Sequence, residues 1–85
     1  MAHYYFDIVE PVRRTSDTEG LDLADEAAAR AHAATLLLDV ARDMVLDGDV
    51  PALAVEARNE AGQPAFRASL RLHFSDQPSE GTARG

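Results

Sequence analysis

A run of carboxylates lies between residues 17 and 26, in the segment DTEGLDLADE. Five of its ten residues are acidic: Asp17, Glu19, Asp22, Asp25 and Glu26. Clustered carboxylates could bind a divalent cation or exchange protons in general acid–base catalysis. They could also begin a helix, because an aspartate at the N-cap and acids in the first turn stabilise the positive helix end.

The spacing favours the helix start. A calcium loop of the EF-hand type needs oxygen ligands at alternating positions, a glycine at the sixth and a glutamate at the twelfth. Asp17, Glu19 and Asp22 break this alternation, and Gly20 is fourth when counted from Asp17. The stretch also lacks the apolar surroundings that would separate two carboxyl pKa values. We predict Asp25 as the N-cap and keep Asp17, Glu19 and Asp22 only as weak candidates for a metal site.

The other chemistry-bearing residues form no motif. His3, His32 and His73 are far apart and fit no zinc spacing, although His3 and His73 could meet across neighbouring strands. No serine lies in a nucleophile elbow, no glycine-rich phosphate loop is present, and the chain has no cysteine. We expect no catalytic residue and no cofactor, and therefore a protein that is not an enzyme.

Composition limits the possible partners. The chain has 85 residues and a net charge of −7, from 15 acidic and 8 basic residues. This charge disfavours binding to nucleic acid or anionic membrane, which depends on cationic side chains. No apolar run reaches membrane-spanning length and the first residues do not resemble a signal peptide, so we expect a cytoplasmic protein. A domain of this size has a small core, so stabilisation by self-association is expected.

Five elements are predicted to position these side chains. Residues 3–10 alternate with a period of two, which predicts a strand that Pro11 ends. The segment LDL at 21–23 predicts a second, brief strand. Residues 25–47 repeat at helical spacing and stop at Gly48. Segments 53–59 and 65–74 alternate again and predict a β-hairpin.

This order predicts an α+β fold, an antiparallel sheet of three or four strands with one long amphipathic helix on one face (β-β-α-β-β). The domain should span residues 1–74, and residues 75–85 should be a disordered tail because they lack periodicity and bulky apolar residues. The predicted buried side chains of the helix are Ala34, Leu37, Leu38, Ala41, Met44 and Val45. Those of the hairpin are Leu53, Val55, Phe66, Leu70, Leu72 and Phe74.

One helix can cover only one face of the sheet. The uncovered face is therefore either hydrated or an interface, and it carries Tyr5, Asp7, Val9, Glu56, Arg58, Arg67, Ser69, Arg71 and His73. Among these, Arg67, Arg71 and His73 could form a small basic patch.

Three further residues are candidates for interaction. Arg30 falls near the predicted apolar stripe, where a guanidinium must pair with an acid or bind an anion. Its candidate partners are Asp7, Asp17 and Glu19. Leu36 and Leu46 project from the polar side of the helix and could contact a partner.

Several short motifs occur in a characteristic order: HYYFDI, an acid-rich turn ending in EG, LDLADEAAARAHA and a late NEAG turn. Over about residues 3–74 the chain resembles a family of small proteins of unknown function found mainly in alphaproteobacteria. Ala24 departs from the pattern, where members often carry Pro, and so does Asp7, where they often carry His. The resemblance implies no catalytic residues to carry over. The order of elements is also similar to the antitoxin half of hic-type toxin–antitoxin systems, which is a likeness of fold alone.

The leading hypothesis is a non-enzymatic interaction or regulatory module that works as a homo-oligomer, most simply a homodimer, or with a protein partner. A small core, an uncovered sheet face and possible free strand edges support it. One alternative is a small ligand- or ion-binding protein that uses the acidic turn or Arg30. Another is weak binding of nucleic acid through Arg67 and Arg71, or of a toxin partner.

Overall fold

The structure is a computed structural model and describes residues 1–77. Its elements are β1 (Ala2–Val9), β2 (Arg14–Thr15), β3 (Leu21–Leu23), α1 (Glu26–Leu46), β4 (Ala52–Arg58) and β5 (Pro64–Arg71). The single helix of this region packs on one face of an antiparallel sheet, so the predicted α+β fold is confirmed. The strand count differs from the prediction because β2, which pairs only two residues, lies between the first two predicted strands, where no strand was predicted.

The sheet is built around β1 and β4. The strand order is β2-β1-β4-β5, and β3 pairs with the beginning of β1. Both β2 and β3 therefore lie on the same edge of β1, β3 along Ala2 to Tyr4 and β2 along Ile8 and Val9. No strand pairs with this edge of β1 between Tyr4 and Ile8 within residues 1–77. The hairpin of β4 and β5 completes the other side of the sheet.

The helix begins and ends at the residues that the sequence predicted. The Oδ1 atom of Asp25 accepts the Ala28 N–H at 2.9 Å, which satisfies one of the free amides of the first turn. At the other end Gly48 has a φ of 90°, which glycine adopts at little cost. No helix in the described part of the chain is long and apolar enough to cross a membrane.

The buried face of the helix differs from the prediction. Four buried side chains face the sheet: Ala29, Ala33, Leu37 and Ala41. Leu36, predicted to lie on the polar side, packs against the core. Ala34, Leu38 and Val45 were predicted to be buried but are exposed, Leu38 by 61% and Val45 by 51%. The stripe was mispredicted because apolar residues occupy two neighbouring arcs of this helix. Small alanines on one arc allow close approach to the sheet.

The core joins this helix face to one side of the strands. β1 contributes Tyr4 and Phe6, and β4 contributes Leu53, Val55 and Ala57. The prediction placed Leu72 and Phe74 in the same layer, but β5 ends at Arg71 and these two side chains are 40% and 74% exposed. Residues 75–77 have no regular secondary structure, and the rest of the predicted tail lies outside the described residues.

Candidate functional site

An ion-pair cluster occupies the uncovered face of the sheet. It consists of Asp7, Arg14, Glu56, Arg58 and Arg67, which strand alternation places on one face. The Nε and Nη2 atoms of Arg58 donate to the two carboxylate oxygens of Asp7 at 2.9 and 3.0 Å. Arg14 donates to Glu56 at 2.7 Å and to Asp7 at 3.4 Å. Arg67 donates to Glu56 at 3.2 Å. The cluster thus links β1, β2, β4 and β5.

Asp7 is the buried centre of the cluster, with 3% of its surface exposed. The Arg58 guanidinium that covers it lies 4.8 Å from the centroid of the Tyr5 ring. Hydrogen bonds from Arg58 hold the pKa of Asp7 below its usual range, although burial acts in the opposite direction. Asp7 in turn raises the pKa of Arg58. Both side chains are therefore charged at neutral pH, as an ion pair with this bidentate geometry requires.

Asp17 closes the gap that β2 and β3 leave on the edge of β1. Its Oδ2 atom accepts the Phe6 N–H at 3.0 Å, where a neighbouring strand would otherwise supply a carbonyl. Its own N–H donates to Asp7 at 2.9 Å, and its carbonyl accepts from Arg58 at 2.9 Å. Although burial acts to raise the pKa of Asp17, hydrogen bonds from backbone amides, that of Gly20 first, hold it below its usual value. Asp17 therefore connects the loop before β3 to the cluster through hydrogen bonds with Asp7 and Arg58.

The carboxylates of the acidic run have separate partners. Asp17 binds its own loop and β1, and Asp25 caps the helix. Asp22 accepts from His3 Nδ1 at 2.6 Å, while the Glu19 carbonyl accepts from His3 Nε2 at 2.9 Å. Within residues 1–77, no group of three or more His, Cys, Asp or Glu side chains is placed to hold a metal ion.

His3 fastens the loop before β3 to the first residues of β1. Both ring nitrogens face acceptors, so the doubly protonated imidazolium fits this position best. The bond to Asp22 is the largest cause that raises the pKa of His3 above its usual value. Gly20, with a φ of 71°, lies against this ring, and a Cβ there would clash with His3 Nε2 and lie 2.7 Å from the Tyr4 carbonyl oxygen.

Arg30 pairs within the helix. Its Nε and Nη2 atoms donate to the Glu26 carboxylate at 2.9 and 2.7 Å, and its guanidinium lies 4.8 Å from the centroid of the Phe66 ring. The predicted partners were wrong because Arg30 lies on the flank of α1 that faces β5, whereas His32 on the other flank contacts Phe6 of β1. Those predicted partners were Asp7, Asp17 and Glu19.

The contact between Arg30 and Phe66 shows which flank of the helix faces the outer side of β5. Residues four apart lie on one flank of a helix, so Arg30, Ala34 and Leu38 point to this side. The exposed apolar side chains of that flank are Ala27, Ala31, Ala34, Leu38 and Val45. Beneath them β5 pairs only with β4 among residues 1–77, so its outer backbone edge is unpaired. We call this flank and the outer edge of β5 together the open edge.

A family model described as a domain of unknown function (DUF6894) matches residues 3–71 of the chain. The chain belongs to this family. The match extends from β1 to the last residue of β5, so the helix, the sheet, the cluster and the open edge all belong to the DUF6894 domain. No curated protein and no solved structure matches the chain.

The other predicted interaction residues of this DUF6894 domain do not all lie in one patch, although Arg67 and Arg71 line one cleft on the uncovered face. β4 separates β1 from β5, and His73 follows β5 near the far end of β1, so His3 and His73 do not meet as the sequence had allowed. Arg67 belongs to the ion-pair cluster, whereas Arg71 is exposed at the end of β5, opposite Ala52. Leu46 is 74% exposed, on a different flank of the helix from Leu38.

Sequence reasoning did not find the Asp7–Arg58 pair or the role of Asp17. Alternation had placed Asp7 and Arg58 on the same face, and the register of β1 with β4 makes them near neighbours. The turn that begins at Asp17 has glycine at its fourth position, which is a recognisable turn signature.

Each carboxylate of the cluster in the DUF6894 domain receives a hydrogen bond from a guanidinium. The cluster therefore holds four strands and a loop together.

Proposed function

We propose that this DUF6894 domain is a non-enzymatic interaction module that acts in the cytoplasm as a homodimer. The supporting observation is the open edge. An unpaired strand edge offers a row of backbone donors and acceptors to another strand, and soluble proteins normally shield such edges. Here the edge lies beside an exposed apolar flank of α1, which burial against another chain would stabilise.

The distribution of charge supports the same proposal. On the uncovered face the carboxylates of Asp7 and Glu56 pair with three guanidiniums, so both acidic charges of this cluster are compensated within the molecule. A second copy is the simplest occupant of the open edge, because twofold symmetric dimers are the most frequent assemblies of identical chains. A dimer would also enlarge the small core.

Sedimentation velocity tests the proposal. Over roughly 1–300 µM, the range expected for a small interface, the weight-average mass should rise from that of one 9.2 kDa chain toward twice that value. A mass that stays at one chain throughout this range would refute the homodimer. Cell fractionation tests the location, and recovery in a membrane fraction would contradict it.

A further inference from the structure

We infer that two copies join at the open edge. β5 pairs antiparallel with β5 of the second copy, with the twofold axis at Ala68. The two α1 flanks pack antiparallel, with the same axis passing at the level of residue 36 along each helix. The inference rests on the proposed self-association and specifies its interface. Two separate features support it: the side-chain pattern of β5 and the spacing of the apolar residues on α1.

The side chains of β5 restrict the register. In a symmetric antiparallel pair, opposite residues lie on the same face of the sheet. Centring the pair on Arg67 would place Arg67 opposite its own equivalent. Centring it on Ser69 would place Arg67 opposite Arg71. Like charges directly opposite each other destabilise a strand pair, so both registers are unfavourable.

Centring the pair on Ala68 avoids both clashes. Arg67 then lies opposite Ser69 of the second copy, and Phe66 lies opposite Leu70 on the face that α1 covers. Phe66 and Leu70 are only partly buried in one chain, so this pairing removes more apolar surface from water. Of the three registers centred on Arg67, Ala68 and Ser69, the one centred on Ala68 is therefore the most favourable.

The exposed flank of α1 has a matching symmetry. Position 36 is the midpoint of Glu26–Leu46. In an antiparallel pair of helices centred there, Ala34 lies opposite Leu38 and Ala27 lies opposite Val45. Each large side chain thus meets an alanine, which is the alternation that lets two helix surfaces interdigitate. The acidic end of each helix, whose last turn has no basic residue, lies beside the positive end of the other.

Strand pairing and helix packing are compatible in one dimer. The helix packs mainly over β4 and β5. Since neighbouring strands are about 4.8 Å apart, a helix above the β4–β5 gap lies about 5 Å from the twofold axis. The two helix axes would then be about 10 Å apart, at the upper end of the 8–10 Å range for packed helices.

The size of the contact predicts moderate affinity. The helix flank from Ala27 to Val45 is about 27 Å long, and β5 is of similar length. Strand and helix layers together would bury roughly 1,000 Å² in total, near the lower limit for specific interfaces. A dimer of this size is expected to dissociate in the micromolar range.

A pair of charge substitutions tests the helix contact. Leu38→Glu places a carboxylate opposite Ala34 of the second copy and should raise the dissociation constant at least about tenfold, because a charged group would replace an apolar side chain in the contact. Leu46→Glu is the matched control and should change it less than about twofold, because Leu46 lies off this flank. Both leucines are exposed in one chain, so thermal unfolding should show both variants folded.

Cross-linking tests the register. The chain has no cysteine, so a single substitution supplies the only thiol. In the Ala68→Cys variant the two thiols lie on directly opposite residues, whose Cα separation of about 4.5–5.5 Å allows a disulfide. In the control variant Arg71→Cys the equivalent residues are about 20 Å apart. Oxidation should therefore link the first variant and leave the second unlinked.

The outcomes separate this inference from the proposed function. Self-association that is unaffected by Leu38→Glu, or cross-linking of Arg71→Cys in preference to Ala68→Cys, would overturn this interface while leaving the homodimer intact. Failure of the unmodified chain to self-associate would overturn the proposed function and the interface together.

Discussion

Removal of the Asp7 carboxylate is the strongest test of how the sheet is held together. The Asp7→Ala variant loses two hydrogen bonds from Arg58, one from the Asp17 amide and a longer one from Arg14. Truncating one partner of a fully buried ion pair costs about 3–5 kcal/mol. Here Arg58 is 29% exposed and keeps its bond to the Asp17 carbonyl, so water recovers part of the loss.

The expected destabilisation follows from what remains without a partner. The Asp17 amide, left partly buried without an acceptor, costs about 1–3 kcal/mol. The charge-assisted bonds of Arg58, discounted for exposure, contribute a similar amount. We expect the free energy of unfolding to fall by about 3 kcal/mol. That is most of the stability of about 3–5 kcal/mol expected for a core of this size.

Urea unfolding followed by circular dichroism measures this change. With a slope of about 1 kcal/mol/M for a chain of this length, the midpoint should fall by about 3 M. All variants need the same protein concentration, because the proposed self-association would add to the apparent stability. Asp39→Ala removes an exposed helical carboxylate and should change the stability by less than about 0.5 kcal/mol. A loss below about 1 kcal/mol in Asp7→Ala would refute a structural role for the cluster.

Further predictions concern pH, a cap and a turn. The lowered pKa of Asp7 contributes stability that is present above about pH 4 and lost as the pH falls through its folded value. In an acid titration the free energy of unfolding of Asp7→Asn should therefore fall less than that of the unmodified chain. The raised pKa of His3 contributes stability that is complete below about pH 6.5 and lost as the pH rises through its folded value. In an alkaline titration His3→Ala should therefore remove this fall in the free energy of unfolding. Asp25→Ala removes the helix cap and should cost about 1 kcal/mol in urea unfolding, and no change would refute the cap. Gly20→Ala introduces a Cβ at positive φ against His3 and should cost about 2 kcal/mol by the same assay, whereas a neutral result would contradict the close packing.

Local signals explain which parts of the fold were predictable. The helix ends depend on residues beside them in sequence, Asp25 at the start and Gly48 at the stop, and both were predicted. The buried face of the helix depends on contacts with the sheet. Leu37 and Leu38 are adjacent and equally apolar, yet only Leu37 is buried. Two apolar arcs on one helix satisfy the same periodicity, so the pattern alone cannot select between them.

The site was less predictable because its contacts join distant parts of the chain. Arg58 is 51 residues from Asp7, and their contact depends on β4 pairing beside β1. Strand order cannot be read from alternation, which shows only the face on which each side chain lies. The same uncertainty produced the suggestion that His3 and His73 could meet. The error for Arg30 was different, because its partner Glu26 is only four residues away on the same helix. β2 was missed because its two residues pair only after the loop has folded back onto β1.

The two edges of this sheet differ in how they are covered. On the β1 side, β3 and β2 pair with both ends of the strand, and the Asp17 carboxylate accepts the Phe6 amide between them. The ion-pair cluster then fixes this arrangement from the uncovered face. On the β5 side, the described chain supplies no equivalent cover, and the helix presents an apolar flank beside the edge. Because β3, β2 and the Asp17 carboxylate close one edge, we propose the other edge as the surface that a second copy binds.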